Sequence, residues 1–336
     1  MSASFSPLPQ KQHELYPSAI DYSVLKHTSP NRRIAQFLLK GFFMFVFTLL
    51  ALFIAIHAYV AWLLTHPFVT PLQSNPRAAV QLEYSEVTFP SSDEATKVDG
   101  WWIPASGSRQ SVILSHGFGT NREEPWVPMY ELANLLHQQN YNVLMFDYGF
   151  ASENHRTVAT GGLLESQQLR GAIQYVRSLG NDEVFVWGFS MGAGIALQAA
   201  LQGEPIDAMI LDSTFLFNED TLYYNLQKYL KLPKYPSVSL IRWFLPLIGG
   251  TRLDQIPSSQ VQETAYSFPI LLIHGTADDK APYTISENIA HAQTNRLSQL
   301  WIVDDAIHEM IYRTYPDQYV SHTLSFLNQV HANRFE

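Results

Sequence analysis

Large apolar residues fall along this chain in three rhythms, and each rhythm predicts a different kind of element. The first is an unbroken run, "GFFMFVFTLLALFIAIHAYVAWLL", residues 41–64, without a formal charge. As a helix it reaches roughly 36 Å, enough to cross a hydrocarbon core of about 30 Å with some tilt. Tyr59 and Trp62 near its end suit an aqueous interface. The second rhythm is alternation. "LEYSEVTFPS" and "VDGWWIPAS" flank the turn-rich "SSDEATK", which predicts a β-hairpin. The third repeats to the C-terminus as a short continuous apolar run followed by a helix-spaced stretch. Strands are expected at 111–117, 142–147, 183–188, 207–212, 268–275 and 299–304, and helices at 126–140, 162–178, 191–202, 283–292 and 316–332.

Continuous apolar strands that alternate with amphipathic helices predict a mostly parallel sheet covered on both faces, with right-handed crossovers. Such sheets bind ligands at the carboxyl ends of their strands. Reactive side chains are therefore expected just after strands. One interval breaks the rhythm. Residues 213–266 hold no clear sheet strand but many bulky residues, among them Phe215, Phe217, Tyr223, Tyr224, Tyr229, Trp243 and Phe244, divided by Pro233, Pro236, Pro246 and Pro257. A long insertion between two sheet strands predicts a lid over a site, and its composition also suits a plain helical insertion. The expected organisation is a mostly disordered tail at 1–40, a membrane helix at 41–64 and a folded domain at 80–336.

Charge adds an orientation. Lys26, Arg32, Arg33 and Lys40 precede the apolar run, and up to residue 80 only Arg77 follows it. The positive-inside rule then places the N-terminus in the cytoplasm and the large domain outside it, on a single-pass anchor in the cell membrane. A cleaved signal peptide is the main rival, but its apolar core would be shorter, at about 7–15 residues. The first 65 residues carry five Lys/Arg against two Asp/Glu, and the remainder 16 against 28. An acidic domain with no basic face argues against a nucleic-acid partner. The chain has no cysteine, so disulfides, thiolate catalysis and cysteine metal sites are excluded.

The candidate chemistry sits where the strands end. "VFVWGFSMGAGIALQAA" carries Gly188-Phe189-Ser190-Met191-Gly192 at a strand-to-helix junction. A serine on so tight a turn has its hydroxyl pushed out at the sheet edge, and the residues two before and two after it must be small. The helix that starts there turns its N–H groups and dipole toward developing negative charge. A serine hydroxyl needs a base to take its proton. His308 in "VDDAIHEM" follows the last expected strand, whereas His116 and His274 each end a strand in an H-G pair and suit structural roles. "HEMIY" lacks the second histidine of a zinc H-E-x-x-H motif, so no metal is expected. "LLIHGTADDKAPY" places Asp278 just after a strand, with Asp279 as its close competitor, and Asp304 and Asp305 suit a solvated loop. The order Ser190, Asp278, His308 is that of a Ser–acid–His triad on this kind of sheet. The Met191 and Phe118 backbone N–H groups are the expected oxyanion donors.

From about residue 82 to the C-terminus the chain resembles the α/β-hydrolase superfamily, and in particular its membrane-anchored and bacterial esterases and the related serine-aminopeptidase-like group. "SHGFGTN", "FDYGFASEN", "GFSMGAGIAL", "LDSTF", "HGTADDKAP" and "IHEM" carry the resemblance. It implies an α/β-hydrolase fold with an eight-stranded, mostly parallel sheet, a helical lid, no cofactor, and hydrolysis of carboxylic esters through Ser190, Asp278 and His308. The family often shows D-Y-R-G-x-G-x-S where this chain has "DYGFASEN", which alters a loop bordering the pocket. The expected substrate is a small or lipid-like acyl or aryl ester. The same triad serves amide and thioester bonds, and a catalytically silent binding domain is the reading from outside the enzyme class.

Overall fold

A computed structural model describes residues 30–334. Among the described residues, those up to Phe53 belong to one unit and those from Ile54 onward to a second. The chain opens with α1 (Pro30–Thr65), whose span from Asn31 to Thr65 is long and apolar enough to cross a membrane. The helix starts within the segment expected as tail. "RRIAQFLLK" is rich in strong helix formers, and Pro30 fits a first helical turn, so the helix runs past the apolar limit at residue 41. Residues 1–29 of the expected tail lie outside the described residues.

A short α2 (Pro76–Val80) follows, capped by Asn75, whose side chain accepts from Ala78 N–H. Then come β1 (Ser85–Pro90), β2 (Lys97–Ile103), β3 (Gln110–Ser115), α3 (Met129–Gln138), β4 (Asn142–Phe146), α4 (Leu163–Ser178), β5 (Glu183–Phe189), α5 (Met191–Leu201) and β6 (Ala208–Asp212). The interval after β6 holds α6 (Glu219–Tyr229), α7 (Lys234–Ile248), a short 3-10 turn (Leu253–Gln255) and α8 (Ser258–Glu263). β7 (Ile270–Gly275), α9 (Thr284–Ala292), β8 (Gln299–Val303), α10 (Ile311–Thr314) and α11 (Pro316–Asn333) complete the described chain.

The eight strands form one sheet in the order β1-β2-β4-β3-β5-β6-β7-β8. β1 pairs with β2, and β2 with β4, antiparallel, and every other pair is parallel. The expected mostly parallel sheet is therefore present, with the hairpin at one edge. Its two-residue period sorts side chains between two cores. Val112 and Leu114 of β3 face one way, with Phe185 and Trp187 of β5, against Leu132 and Leu136 of α3 and Phe326 and Leu327 of α11. Ile113 faces the other way, with Val184 and Val186, against Leu169 and Ile173 of α4, Ile195 of α5 and Ile289 of α9. Both faces of the central strands are covered, which is why those strands read as continuous apolar runs.

A third apolar cluster lies apart from the sheet. It joins Val60, Ala61 and Leu64 in the last turns of α1 to Leu222 and Leu226 of α6 and to Val238, Ile241 and Leu245 of α7. Ala61 is fully buried there, and a Cβ on Gly249 would lie 3.0 Å from the Thr65 Cβ. Ala61→Trp should overpack this seam at a cost of about 1–3 kcal/mol. For a domain of this size that lowers the melting temperature by roughly 2–4 °C per kcal/mol. A thermal melt of the full chain in detergent checks it, and an unchanged midpoint would show that the seam does not form.

Candidate active site

β5 ends at Phe189 and α5 begins at Met191, so Ser190 takes the whole reversal alone, with φ 49° and ψ −116°. A residue with a Cβ reaches positive φ only under strain, and such strain persists where the surroundings fix it. Here Ser190 N–H donates to the Asp212 carbonyl at 2.9 Å, and the Ser190 carbonyl accepts from Phe215 N–H at 3.0 Å. The two flanking glycines are dictated by space. A Cβ on Gly188 would sit 2.6 Å from Ala193 Cα, and one on Gly192 would sit 2.6 Å from the His116 carbonyl oxygen and closer still to that of Ser115.

The structure brings Ser190, Asp278 and His308 together. His308 Nε2 lies 2.8 Å from Ser190 Oγ, and His308 Nδ1 lies 2.6 Å from Asp278 Oδ2. A carboxylate only accepts, so the Nδ1 proton points at Asp278 and Nε2 is left to accept from the serine. Asp278 is held from both sides. Oδ1 accepts from the N–H groups of Lys280 and Ala281, each at 2.8 Å, and Oδ2 also takes His274 Nε2 at 3.0 Å. Burial opposes charge on this carboxyl, but the hydrogen bonds from His274 and His308 outweigh it and hold Asp278 well below the usual carboxylate range. Asp279 instead turns outward to Lys228 at 3.0 Å. Asp304 and Asp305 are exposed.

The two expected oxyanion donors lie at the start of α5 and in the loop after β3. Met191 N–H is the first of α5 and has no carbonyl one turn behind it inside the helix. In the loop after β3, Gly117 N–H is taken by Glu124 Oε2 at 2.6 Å, and Phe118 comes next. Among the described residues, neither Met191 N–H nor Phe118 N–H donates to a protein acceptor outside regular secondary structure. His116 does not join the reacting group. Its Nε2 accepts from Tyr148 N–H at 3.0 Å, so Nδ1 carries the proton and donates to the Gly117 carbonyl at 2.9 Å. Burial lowers its pKa to about 4, which keeps it neutral.

Several residues near the site have contacts that the sequence did not show. His274 reads as a strand-ending structural histidine, and the structure makes it a donor to the Asp278 carboxylate. Its place in an H-G pair at a strand end was the available signal. Arg122 and Asp147 form a buried ion pair at 2.7 Å, with the guanidinium over the Trp101 ring. Glu124 and Glu309 are buried beside Gly117. Among the described residues, no three His, Asp or Glu side chains are grouped so as to hold a metal ion.

Comparison with known proteins agrees with this architecture. Residues 110–237 match the family described as the alpha/beta hydrolase fold. The Pyrococcus furiosus esterase Pf2001 superposes with a TM-score of 0.64 at 24% identity, over 80% of this chain and 98% of that one. YfhR of Escherichia coli O157:H7 is 28% identical over 270 residues, covering 76% of this chain and 84% of that protein. The lysophosphatidylserine lipase ABHD12 of Danio rerio is 23% identical over 58% of this chain and 51% of that protein. The chain has the α/β-hydrolase fold. Its "DYGFASEN" loop departs from the D-Y-R-G-x-G-x-S pattern noted above, and Asp147 in that loop has an arginine partner. The arginine that pairs with Asp147 comes from the loop after β3, as Arg122.

The Asp278 carboxyl is held below its ordinary 3.8, so as the pH falls the unfolded chain takes up a proton before the folded chain does. The stability this group contributes is complete above pH about 5 and is lost as the pH drops toward the folded value. Asp278→Asn should therefore unfold with a shallower acid dependence than the wild type. Urea midpoints measured from pH 7 down to pH 3 test this, and parallel curves for the two proteins would disprove it.

Proposed function

We propose that this protein is a membrane-anchored serine hydrolase that cleaves acyl or aryl carboxylic esters. One observation carries the reading: the continuous line of hydrogen bonds from Ser190 Oγ through the His308 ring to Asp278. Ser190 Oγ attacks the ester carbonyl while its proton passes to His308 Nε2. Asp278 holds the ring in the tautomer that can receive that proton and stabilises the imidazolium that results. The tetrahedral oxyanion is received by the N–H groups of Met191 and Phe118, with the α5 dipole behind them. His308 then protonates the departing alkoxide, leaving an acyl-enzyme on Ser190. Water, deprotonated by His308, releases the acid and restores the serine.

An apolar substrate is supported by the surroundings. Phe118 stands half-exposed beside Phe150, with ring centroids 5.9 Å apart. The aromatic insertion is tied to the acid loop, where Tyr224 OH donates to the Asp278 carbonyl at 2.9 Å and Asn225 Nδ2 to the Lys280 carbonyl at 2.8 Å. That tie supports reading α6 to α8 as a lid over the site. The lipase name of the Danio rerio relative points to the same class of ester.

The seam between α1, α6 and α7 supports an anchor that is retained rather than cleaved. Removal of α1 as a signal peptide would expose Leu222, Leu226, Val238, Ile241 and Leu245 together. The basic flank of α1 supports a cytoplasmic N-terminus and an extracytoplasmic catalytic domain.

The full chain in detergent should hydrolyse p-nitrophenyl esters and label with a fluorophosphonate. Ser190→Ala should lose both, by about 10³-fold or more in rate. A folded wild type that neither turns over nor labels would overturn the reading, and comparison of short and long acyl chains would define the pocket.

A further inference from the structure

Close to Ser190 lie two buried carboxyls that the ester chemistry leaves unused. Glu124 is 1% exposed and Glu309 5%. Glu124 Oε2 accepts from Gly117 N–H at 2.6 Å and from Thr120 Oγ1 at 3.0 Å. Glu309 Oε2 lies 3.9 Å from His308 Nε2, and the Glu309 N–H donates to Ser213 Oγ at 3.0 Å. The remaining oxygen of each, Oε1, is buried and meets no hydrogen-bond partner among the described residues. The two side chains converge on one point. The place where a Cβ on Gly117 would sit is 2.9 Å from Glu309 Oε1, 3.3 Å from Glu124 Oε2 and 3.4 Å from Ser190 Cβ. Both residues also hold positive φ, 27° at Glu124 and 57° at Glu309, so the backbone is strained to bring them there.

The groups around Glu309 are mostly acidic. Glu124 faces it from the loop after β3, Asp212 from the end of β6 and Asp278 from the loop after β7, with His308 beside it in its own loop. Arg122, the nearby guanidinium, is committed to Asp147. Two ionised carboxylates without a cation between them are costly in such a place, and one bound proton removes one charge and makes its carboxyl a donor to the other, which accepts.

We propose that Glu124 and Glu309 share one proton and so clasp the oxyanion loop, residues 117–124, to the histidine loop, residues 304–309. They are positioning residues. The clasp keeps Phe118 N–H and His308 Nε2 in register on Ser190, and it rests on the serine-hydrolase reading above. Burial favours the protonated pair. It pushes Glu124 up to about 7, although Gly117 and Thr120 pull the other way, and it pushes Glu309 well above the usual range, helped by Glu124, Asp212 and Asp278. As the pH rises and the last proton leaves, like charges force the two loops apart and activity falls.

Glu309→Gln separates this role from mere packing, because the amide donates the same hydrogen bond at every pH. The full chain in detergent is assayed from pH 6 to pH 10 on a p-nitrophenyl ester. Glu309→Gln is expected to keep kcat/KM within about threefold of wild type at pH 7 and to lose the alkaline fall that the wild type shows. Glu309→Ala, which has no donor, should drop at least tenfold at pH 7, mainly in kcat. The infrared spectrum supplies a readout independent of turnover. At pH 8 the wild type should show the carbonyl stretch of a protonated buried carboxyl, and Glu309→Gln should lack it. Superimposable pH profiles for the wild type and Glu309→Gln, or no such band in the wild type, would overturn the clasp. A wild type that shows the band yet neither labels nor turns over would keep the shared proton but overturn the hydrolase reading and, with it, the clasp's catalytic role.

Discussion

The backbone at Gly192 passes so close to β3 that a methyl group there would press on the His116 carbonyl oxygen. That approach sets the rest of the site. With α5 held against the end of β3, the chain between β5 and α5 has a single residue in which to turn, and Ser190 accepts the strained dihedrals. The turn in turn fastens its neighbours. Ser190 N–H holds the end of β6 at Asp212, and the Ser190 carbonyl holds Phe215 at the start of the insertion. A second close approach works the same way farther along the edge, where a Cβ on Gly275 would lie 2.6 Å from the Ala306 carbonyl carbon. It brings the loop after β7, which carries Asp278, against the loop after β8, which carries His308.

The acidic groups at this edge behave differently because their hydrogen-bond donors are unequally shared. Asp278 is buried yet meets two backbone N–H groups and two histidine rings, and it stays ionised. Asp212 is buried and accepts from the Tyr319 and Ser213 hydroxyls, and burial raises its pKa although these hydroxyls and the His274 and His308 rings pull the other way. Glu124 likewise has two donors, Gly117 N–H and the Thr120 hydroxyl, and among the described residues Glu309 Oε1 has none. At one edge of the sheet the fold thus keeps Asp278 charged, with four donors, and leaves the carboxyls with two donors or fewer raised by burial. The same distinction separates Asp278 from Asp279, its neighbour in sequence, which is ion-paired at the surface.

Most of the sheet could be read from the sequence, because continuous apolar runs such as 183–188 are possible only where both faces are covered. The place of Ser190 was legible for a related reason, since small residues on both sides of it at a strand-to-helix junction leave few other conformations. The start of α1 was not legible, because the apolar limit at residue 41 marks a change of polarity and not of backbone conformation. Nor were the buried charges. Arg122 and Glu124 stand in "TNREEP", which reads as a solvated loop, and what buries them comes from other parts of the chain: Asp147 of the loop after β4 and Glu309 of the loop after β8. His274 shows the same limit. An H-G pair at a strand end locates it at the sheet edge, but only the folding of "TADDKA" back onto it reveals the carboxylate it serves.

The strand order has a consequence for how the molecule comes into being. β3 and β5 are neighbours at the middle of the sheet, and the last of the groups that hold the turn at Ser190 is Phe215, so the turn can take shape once the chain through Phe215 is available. Its partner His308 lies 118 positions later in the chain. A polypeptide made from its N-terminus therefore carries its serine through a long stretch of synthesis with no base beside it. The hydrogen bond between Ser190 and His308 can form only when the loop after β8, at the far edge of the sheet, is in place.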